Sequence, residues 1–467
     1  MDCLQFVNEV IDAKQDFLIN TSKKIWDYAE LPYKEYQSME LLCQILEEAG
    51  FSVVKNIAKI PTAFVATAKV GDTGFKMGFL GEYDALDALS QQAEETTKKP
   101  VEEGAPGHGC GHNLLGVGAL GAALALKEYL EVNQEAGTVI YYGCPAEEGA
   151  GAKQFMAREG VFDEADFIYT WHPSTINGVD DARCNAIMGA SFEFFGVSSH
   201  AGGSPHKGRS ALDTAELMSV GVNYLREHIV DKARVHYAYA NTGGSAPNVV
   251  HDYAKVKYEV RTPKVEDLEM LFERVVNVGK GAALMVGTQM KYEVTMAFSD
   301  YFPNDALAEI ANECYMEIGA PKWSDEDYAL AKKYVDSYEE GAISNKIRQK
   351  DKPLDSKVTP YDRDNREING GSTDVGDVCY AVPTLNILSA CACEDNIWHT
   401  WQTTAQMASS IGYKGMLTAT KVMALSAIRT MQRPGAVKRA KKITKEYNGG
   451  AYTCPLPEET MPPLKTY

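Results

Sequence analysis

Gly107-His108-Gly109-Cys110-Gly111-His112-Asn113, which leads directly into the apolar run Leu114 to Leu126, is the stretch from which this chain is best read. One thiol and two imidazoles lie among three glycines, so possible metal donors sit on a backbone that can bend closely around an ion. Cys and His in a tight loop are also common as buried core residues, and the loop alone leaves both readings open. The apolar run is about two-thirds of the ~20 residues needed to cross a bilayer and reads as a buried helix.

On either side of this stretch lie short, β-forming segments bounded by Gly or Pro. Thr62–Ala68 and Phe75–Gly81 precede it, and the second runs into Glu82-Tyr83-Asp84. Thr138–Gly143 follows and ends in Cys144-Pro145-Ala146-Glu147-Glu148-Gly149, Phe167–Trp171 ends in His172-Pro173, and Thr384–Ser389 lies upstream of Trp398-His399-Thr400. In open α/β sheets ligands bind just beyond the carboxyl ends of the strands. Three strand ends and one Gly-rich loop therefore offer Cys, His and Glu to a single site.

The rest of the chain supports an α/β protein with an insertion. Helical spacing marks residues 2–29 and 34–49, with Gly50 as a C′ residue. Between about Ile187 and Phe302 the order becomes strand, helix, strand, strand, helix, strand, a split-βαβ module whose first helix follows the capping sequence Ser210-Ala211-Leu212-Asp213. The expected organisation is a catalytic domain in two parts, residues 1–186 and 301–467, with an α+β domain of residues 187–300 inserted between them. The segment Tyr334–Ile368 reads as a long surface excursion, helical at its start. Gly370-Gly371-Ser372-Thr373-Asp374 reads as the N-cap of a helix through about Ala381. A long helix over about Thr403–Met431 precedes the basic stretch Lys438–Lys445.

Composition narrows the function classes. The chain has 467 residues, 45% hydrophobic and 24% charged, with 46 basic against 64 acidic residues and a formal charge of −18. That balance argues against nucleic acid or an anionic membrane as the main partner and favours a small molecule. The first residues lack a basic n-region and an apolar h-region, so a cytoplasmic location is expected. Ten irregularly spaced cysteines do not form a disulfide framework.

Gly116-Val117-Gly118-Ala119-Leu120-Gly121 matches the dinucleotide fingerprint, but no strand immediately precedes it, and Glu131 and Glu135 fall at a helix end. Close helix packing is the preferred reading. Glu147-Glu148 is more informative, because adjacent carboxylates at a strand end point apart, so that one can bind metal while the other faces substrate as general base. Together Cys110, His112, Glu148, His172 and His399 offer five donors, enough for two divalent ions sharing a ligand.

The motifs Gly109-Cys110-Gly111-His112, Pro145-Ala146-Glu147-Glu148-Gly149, Trp171-His172-Pro173, Ser199-His200-Ala201, Ser204-Pro205-His206 and Trp398-His399-Thr400-Trp401 resemble the di-metal amidohydrolases of the aminoacylase, carboxypeptidase and auxin-conjugate-hydrolase superfamily. Within it the aminobenzoyl-glutamate hydrolase branch is nearest, and the resemblance covers essentially the whole chain. It implies Cys110, His112, Glu148, His172 and His399 as ligands of two divalent ions, manganese or zinc, and Glu147 as general base. It further implies His200 as an oxyanion-stabilising residue supplied to a partner subunit, and Asn248 and Arg261 as contacts to the scissile carbonyl and substrate carboxylate. The inserted domain would be a lid and dimerisation surface, joining a second copy or a related subunit. Much of the superfamily carries His-x-Asp where this chain has Glu82-Tyr83-Asp84, so Asp84 is expected to orient a ligand. Asn113 stands where auxin-conjugate hydrolases usually have Asp. The implied reaction is hydrolysis of an N-acyl amino acid, with acyl-glutamate or acyl-aspartate leading. A dipeptidase and a catalytically inactive partner subunit are the alternatives.

Overall fold

Two amphipathic helices open the chain, α1 (Cys3–Tyr28), which turns Phe6, Val7, Ile11, Leu18 and Ile25 inward, and α2 (Tyr36–Glu48), which turns Met39, Leu42, Cys43 and Leu46 inward. The computed structural model describes residues 2–364 and 366–465. Next come β1 (Ser52–Lys55), β2 (Phe64–Val70), β3 (Lys76–Gly81), α3 (His112–Asn133), β4 (Gly137–Gly143), α4 (Lys153–Arg158), β5 (Phe167–Ser174) and β6 (Asn177–Val179). A unit built on a four-stranded sheet of its own follows, made of β7 (Ala186–Phe195), β9 (Arg234–Asn241), β11 (Tyr253–Thr262) and β12 (Gln289–Phe298) with α5 (Ala211–Leu225) and α6 (Leu268–Val286), and it also carries the short strands β8 (Ser199–His200) and β10 (Val249–Val250). The chain then adds α7 (Asp305–Ile318), α8 (Asp325–Ser337), α9 (Asn345–Arg348), β13 (Val358–Thr359), α10 (Val375–Ala381), β14 (Thr384–Ala390), α11 (Trp401–Gln406), α12 (Ser410–Gln432) and α13 (Ala436–Tyr447).

Among the described residues the large sheet has eight strands in the order β1-β2-β4-β3-β5-β14-β6-β13. Its centre, β4-β3-β5-β14, is parallel, while β2 joins β4 antiparallel. Strand β3, Lys-Met-Gly-Phe-Leu-Gly, is buried beyond its first residue, as a strand covered on both faces requires. One face packs on α1, α3, α7 and α12 through Phe64, Phe79, Tyr141 and Tyr169. The other face, through Leu80, Ile140, Tyr142 and Ile168, belongs to a second core that continues into the four-stranded unit. That unit is ordered β12-β7-β11-β9, wholly antiparallel, with β8 and β10 paired as a separate two-residue ribbon.

Helix α3 is buried almost all round. Its glycines serve packing: a Cβ on Gly118 would meet the Trp171 indole at 2.6–2.9 Å, and Trp171 Nε1 donates to Leu115 O at 3.0 Å. The 116–121 stretch thus lies inside a helix, and no strand-to-helix turn is present to cradle a pyrophosphate.

The structure corrects several boundaries. Strand β5 runs on through Ser174 because it pairs with β14 as far as Ala390, so His172 lies within the strand. The long C-terminal helix is broken where Ser409 Oγ donates to Gln406 O at 2.6 Å and, in an extended conformation, caps α12. The 334–368 excursion packs Tyr334, Tyr338, Ile343, Ile347 and Leu354 into a small third core, through apolar residues too irregularly spaced to show as periodicity. Asp374 is the N-cap residue of α10 but makes no side-chain cap bond there. Its Oδ2 instead accepts from the Ala152 and Lys153 amides at the start of α4, at 2.9 and 3.0 Å. Ser210 Oγ accepts from Asp213 N at 3.0 Å, giving α5 its N-cap bond.

Candidate metal centre

The carboxyl ends of the parallel strands bring the chemistry together. Glu82 and Asp84 follow β3, Glu147 and Glu148 follow β4, His172 lies near the end of β5, and His399 lies in the connection after β14. Cys110 and His112 arrive from the other side, where Gly111 takes a left-handed φ of +83° that turns the loop into α3. The loop and the 399 region are joined by His399 N donating to Gly109 O at 3.1 Å.

Two groups of donors share one sulfur. Cys110, His112 and His172 offer atoms within 4.8 Å of one another, and so do Cys110, Glu148 and His399. Cys110 Sγ lies 3.4 Å from His172 Nε2, and His399 Nε2 lies 3.3 Å from Glu148 Oε1. The imidazoles are oriented for this. His112 Nδ1 donates to Asp84 Oδ1 at 2.8 Å and His172 Nδ1 donates to Pro173 O at 2.7 Å, so in each ring Nε2 carries the lone pair turned to the cluster. Asp84 Oδ2 also accepts from Glu148 N at 2.8 Å, so one buried carboxylate fixes a donor beyond the end of β4 and another at the start of α3.

The donor set fits a metal pair. His112 Nε2 and Glu148 Oε1 are buried, lie 4.0 Å apart, and lack a hydrogen-bond partner of proper geometry among the described residues. Thiolate, imidazole and carboxylate together suit a borderline divalent ion such as zinc or manganese.

The adjacent glutamates are driven apart electrostatically. Burial pushes the Glu147 carboxyl well above the usual range, and the Glu82, Glu148 and Asp374 carboxylates add to it. Burial also acts against ionisation of Glu148, but His399 and His112 outweigh it and hold that carboxyl at about 2. Two neighbouring acids with opposite tendencies suit a proton-handling group beside a permanently charged ligand. Both follow Ala146, a non-glycine residue at φ +61°, whose amide donates to the buried Glu35 at 2.9 Å. His399 is likewise left-handed at φ +60°. Such strain is retained where the surroundings fix it.

His108 stands apart from the cluster: it is buried and its Nε2 donates to Ile25 O at 3.0 Å. Arg261 donates to Ser372 Oγ at 3.1 Å and to Glu259 Oε2 at 3.0 Å, which ties β11 to the Gly370–Asp374 loop. His200 and Asn248 lie together and exposed on the β8–β10 ribbon, where Ala201 N donates to Asn248 O at 2.9 Å. Among the described residues neither hydrogen-bonds to the metal-facing cluster. His200 Nδ1 accepts from the Gly202 and Gly203 amides at 3.1 and 3.0 Å, leaving Nε2–H as its free donor.

Sequence reasoning missed the support behind the cluster. Lys153 is fully buried, with its Nζ 2.7 Å from Glu82 Oε1 and 2.6 Å from Asp374 Oδ1. A lone Lys after Gly-Ala in the sequence gives no sign of this, because its partners lie 71 and 221 residues away.

Comparison with known proteins shows the family. Residues 78–436 match Peptidase family M20/M25/M40. The chain is 39% identical to one of the component chains of the p-aminobenzoyl-glutamate hydrolase of Escherichia coli (strain K12), over 99% of both chains. It is 27% identical to the Xaa-Arg dipeptidase of Mus musculus, over 97% of this chain and 93% of that one. Its fold is similar to that of a Bacillus subtilis dinuclear metal-binding M20 peptidase, with a TM-score of 0.62 at 17% identity, covering 90% of this chain and 99% of the other.

Proposed function

The chain belongs to peptidase family M20/M25/M40 and is a metal-dependent hydrolase of amide or peptide bonds; from that premise we propose that it cleaves N-acyl amino acids, with acyl-glutamates of the aminobenzoyl-glutamate type as leading substrates. The observation that carries this reading is the shared-thiol donor set with Glu147 beside it. Cys110, His112 and His172 would hold one divalent ion, and Cys110, Glu148 and His399 the other. Bound there, such ions polarise the scissile carbonyl and make water acidic enough to attack at neutral pH.

Glu147 has the raised carboxyl needed to take a proton from the attacking water and return it to the leaving nitrogen. Asp84 keeps His112 and Glu148 in place during this exchange. Arg261 would take the free carboxylate of the amino-acid half, with Ser372 steadying the guanidinium. His200 is exposed and keeps its Nε2–H free, as a residue donated to the oxyanion in a partner's site would, and Asn248 would contact the carbonyl from beside the same ribbon. The unit 187–300 would then act as lid and dimerisation surface, with a second copy or a related chain as partner. The similarity to two named components of the Escherichia coli hydrolase, at 39% and 27% identity, supports an assembly of this kind.

A second reading, a dipeptidase acting on basic residues, is favoured by one feature. That feature is the likeness to the Xaa-Arg dipeptidase of Mus musculus, which extends over 97% of this chain at 27% identity. Assay of the protein loaded with Mn²⁺ or Zn²⁺ against acyl-glutamates, acyl-aspartates and dipeptides ending in Arg separates the two. The acyl-glutamate reading expects p-aminobenzoyl-glutamate to give the highest kcat/KM, and preference for the dipeptides would replace it.

A further inference from the structure

A lysine is seldom fully buried, and when it is, its charge needs partners. Lys153 has no exposed surface and spends its ammonium on two carboxylates from distant parts of the chain, Glu82 after β3 and Asp374 before α10. Asp374 is satisfied on both oxygens, by Lys153 Nζ and by the Ala152 and Lys153 amides. Glu82 is not. Its Oε1 faces Lys153, while its Oε2 is buried, lacks a hydrogen-bond partner of proper geometry among the described residues, and lies 3.3 Å from His112 Nε2. Glu82, His112 and Glu147 also offer donor atoms within 4.8 Å of one another. An oxygen left bare beside the nitrogen that faces the metal cluster, on a side chain whose other oxygen is pinned by a buried cation, is held for a charge.

We infer that Lys153 is a positioning residue: anchored by Asp374, it fixes Glu82 with one oxygen turned to His112 Nε2, so that Glu82 supports the ion held by His112. The inference rests on the two-ion reading of the Cys110 cluster. Ion pairing through Lys153 keeps a third carboxylate next to Glu147 and Glu148 without turning it outward. Without the ammonium, Glu82 and Asp374 would be two unpaired buried charges and Glu82 would rotate or take up a proton. Outer partners of metal ligands typically change metal affinity by about 10–100-fold when removed.

Calorimetric titration of the metal-free full-length protein with Mn²⁺ tests this, using wild type, Lys153→Met, Glu82→Gln and the double variant, with circular dichroism to confirm folding. Wild type is expected to bind two ions, and each single variant to weaken one of them by about 10–100-fold. Because Lys153 acts through Glu82, the double variant should bind no more weakly than Glu82→Gln alone. Folded Lys153→Met with both affinities at wild-type level, or additive losses in the double variant, would overturn the inference while leaving the two-ion reading intact. A wild type that binds neither Mn²⁺ nor, in the same titration, Zn²⁺ overturns both. If Lys153→Met does not fold, Glu82→Gln decides by itself, and unchanged affinity for both ions refutes the role given to Glu82.

Discussion

Cys110 Sγ belongs to both donor groups, whereas His172 and His399 each belong to one. The consequences of losing them should therefore differ. His172→Ala and His399→Ala are each expected to lower the bound metal from two ions toward one, while Cys110→Ala weakens both; metal analysis after dialysis distinguishes these outcomes, and a Cys110→Ala protein that loses a single ion would contradict the sharing. Glu147→Gln should keep its metal and lose kcat by about 10²–10⁴-fold, the usual contribution of a positioned general base. Turnover near wild type with metal retained would remove Glu147 from its role. The gathering of Cys110, His112, Glu148, His172 and His399 was foreshadowed in the sequence because each stands among apolar or Gly-rich neighbours, where a polar residue is conspicuous. The pairing of Lys153 with Glu82 and Asp374 was not legible, since ion pairs among residues far apart in sequence leave no local pattern, and Asp374 in Ser-Thr-Asp imitates an ordinary helix cap.

Elements follow the same division. The central strands and α3 could be read because their apolar runs are continuous and end in Gly or Pro, and a parallel sheet buried on both faces makes such runs necessary. The irregular third core around Tyr334 could not, since its contacts are made by scattered side chains. Helix α3 carries a direct test of its packing: Gly118→Ala places a methyl against the Trp171 indole and should destabilise the protein by about 1–3 kcal/mol in urea unfolding, as overpacking does. The connection into the four-stranded unit carries another. Burial raises the Asp180 carboxyl from its ordinary 3.8 to about 6, against a hydrogen bond from Asn386 that favours ionisation. A carboxyl raised on folding contributes stability below its unfolded pKa and loses it as pH rises through the folded value. Between pH 4 and pH 7 the wild type should therefore lose stability relative to Asp180→Asn, by roughly 1–3 kcal/mol in paired denaturation curves. A constant difference across that range would count against a raised Asp180 carboxyl.

At the scale of the molecule, one chain gathers the cluster residues at the carboxyl ends of its central parallel strands and leaves His200 and Asn248 exposed at a separate ribbon. An active site completed by a partner follows from the proposed role of His200. Mixing Glu147→Gln protomers with His200→Ala protomers, each inactive alone, should restore part of the activity in mixed assemblies; no recovery after verified mixing would confine His200 to its own protomer. The claim on which the rest depends is the pair of ions bridged by a thiolate. Anomalous diffraction at the metal absorption edge, from crystals of the Zn²⁺- or Mn²⁺-loaded protein, tests it most directly. Two peaks about 3.5–4 Å apart, with Cys110 Sγ bonded to both, are expected; a single peak, or two peaks of which only one touches Cys110, would refute the shared thiolate.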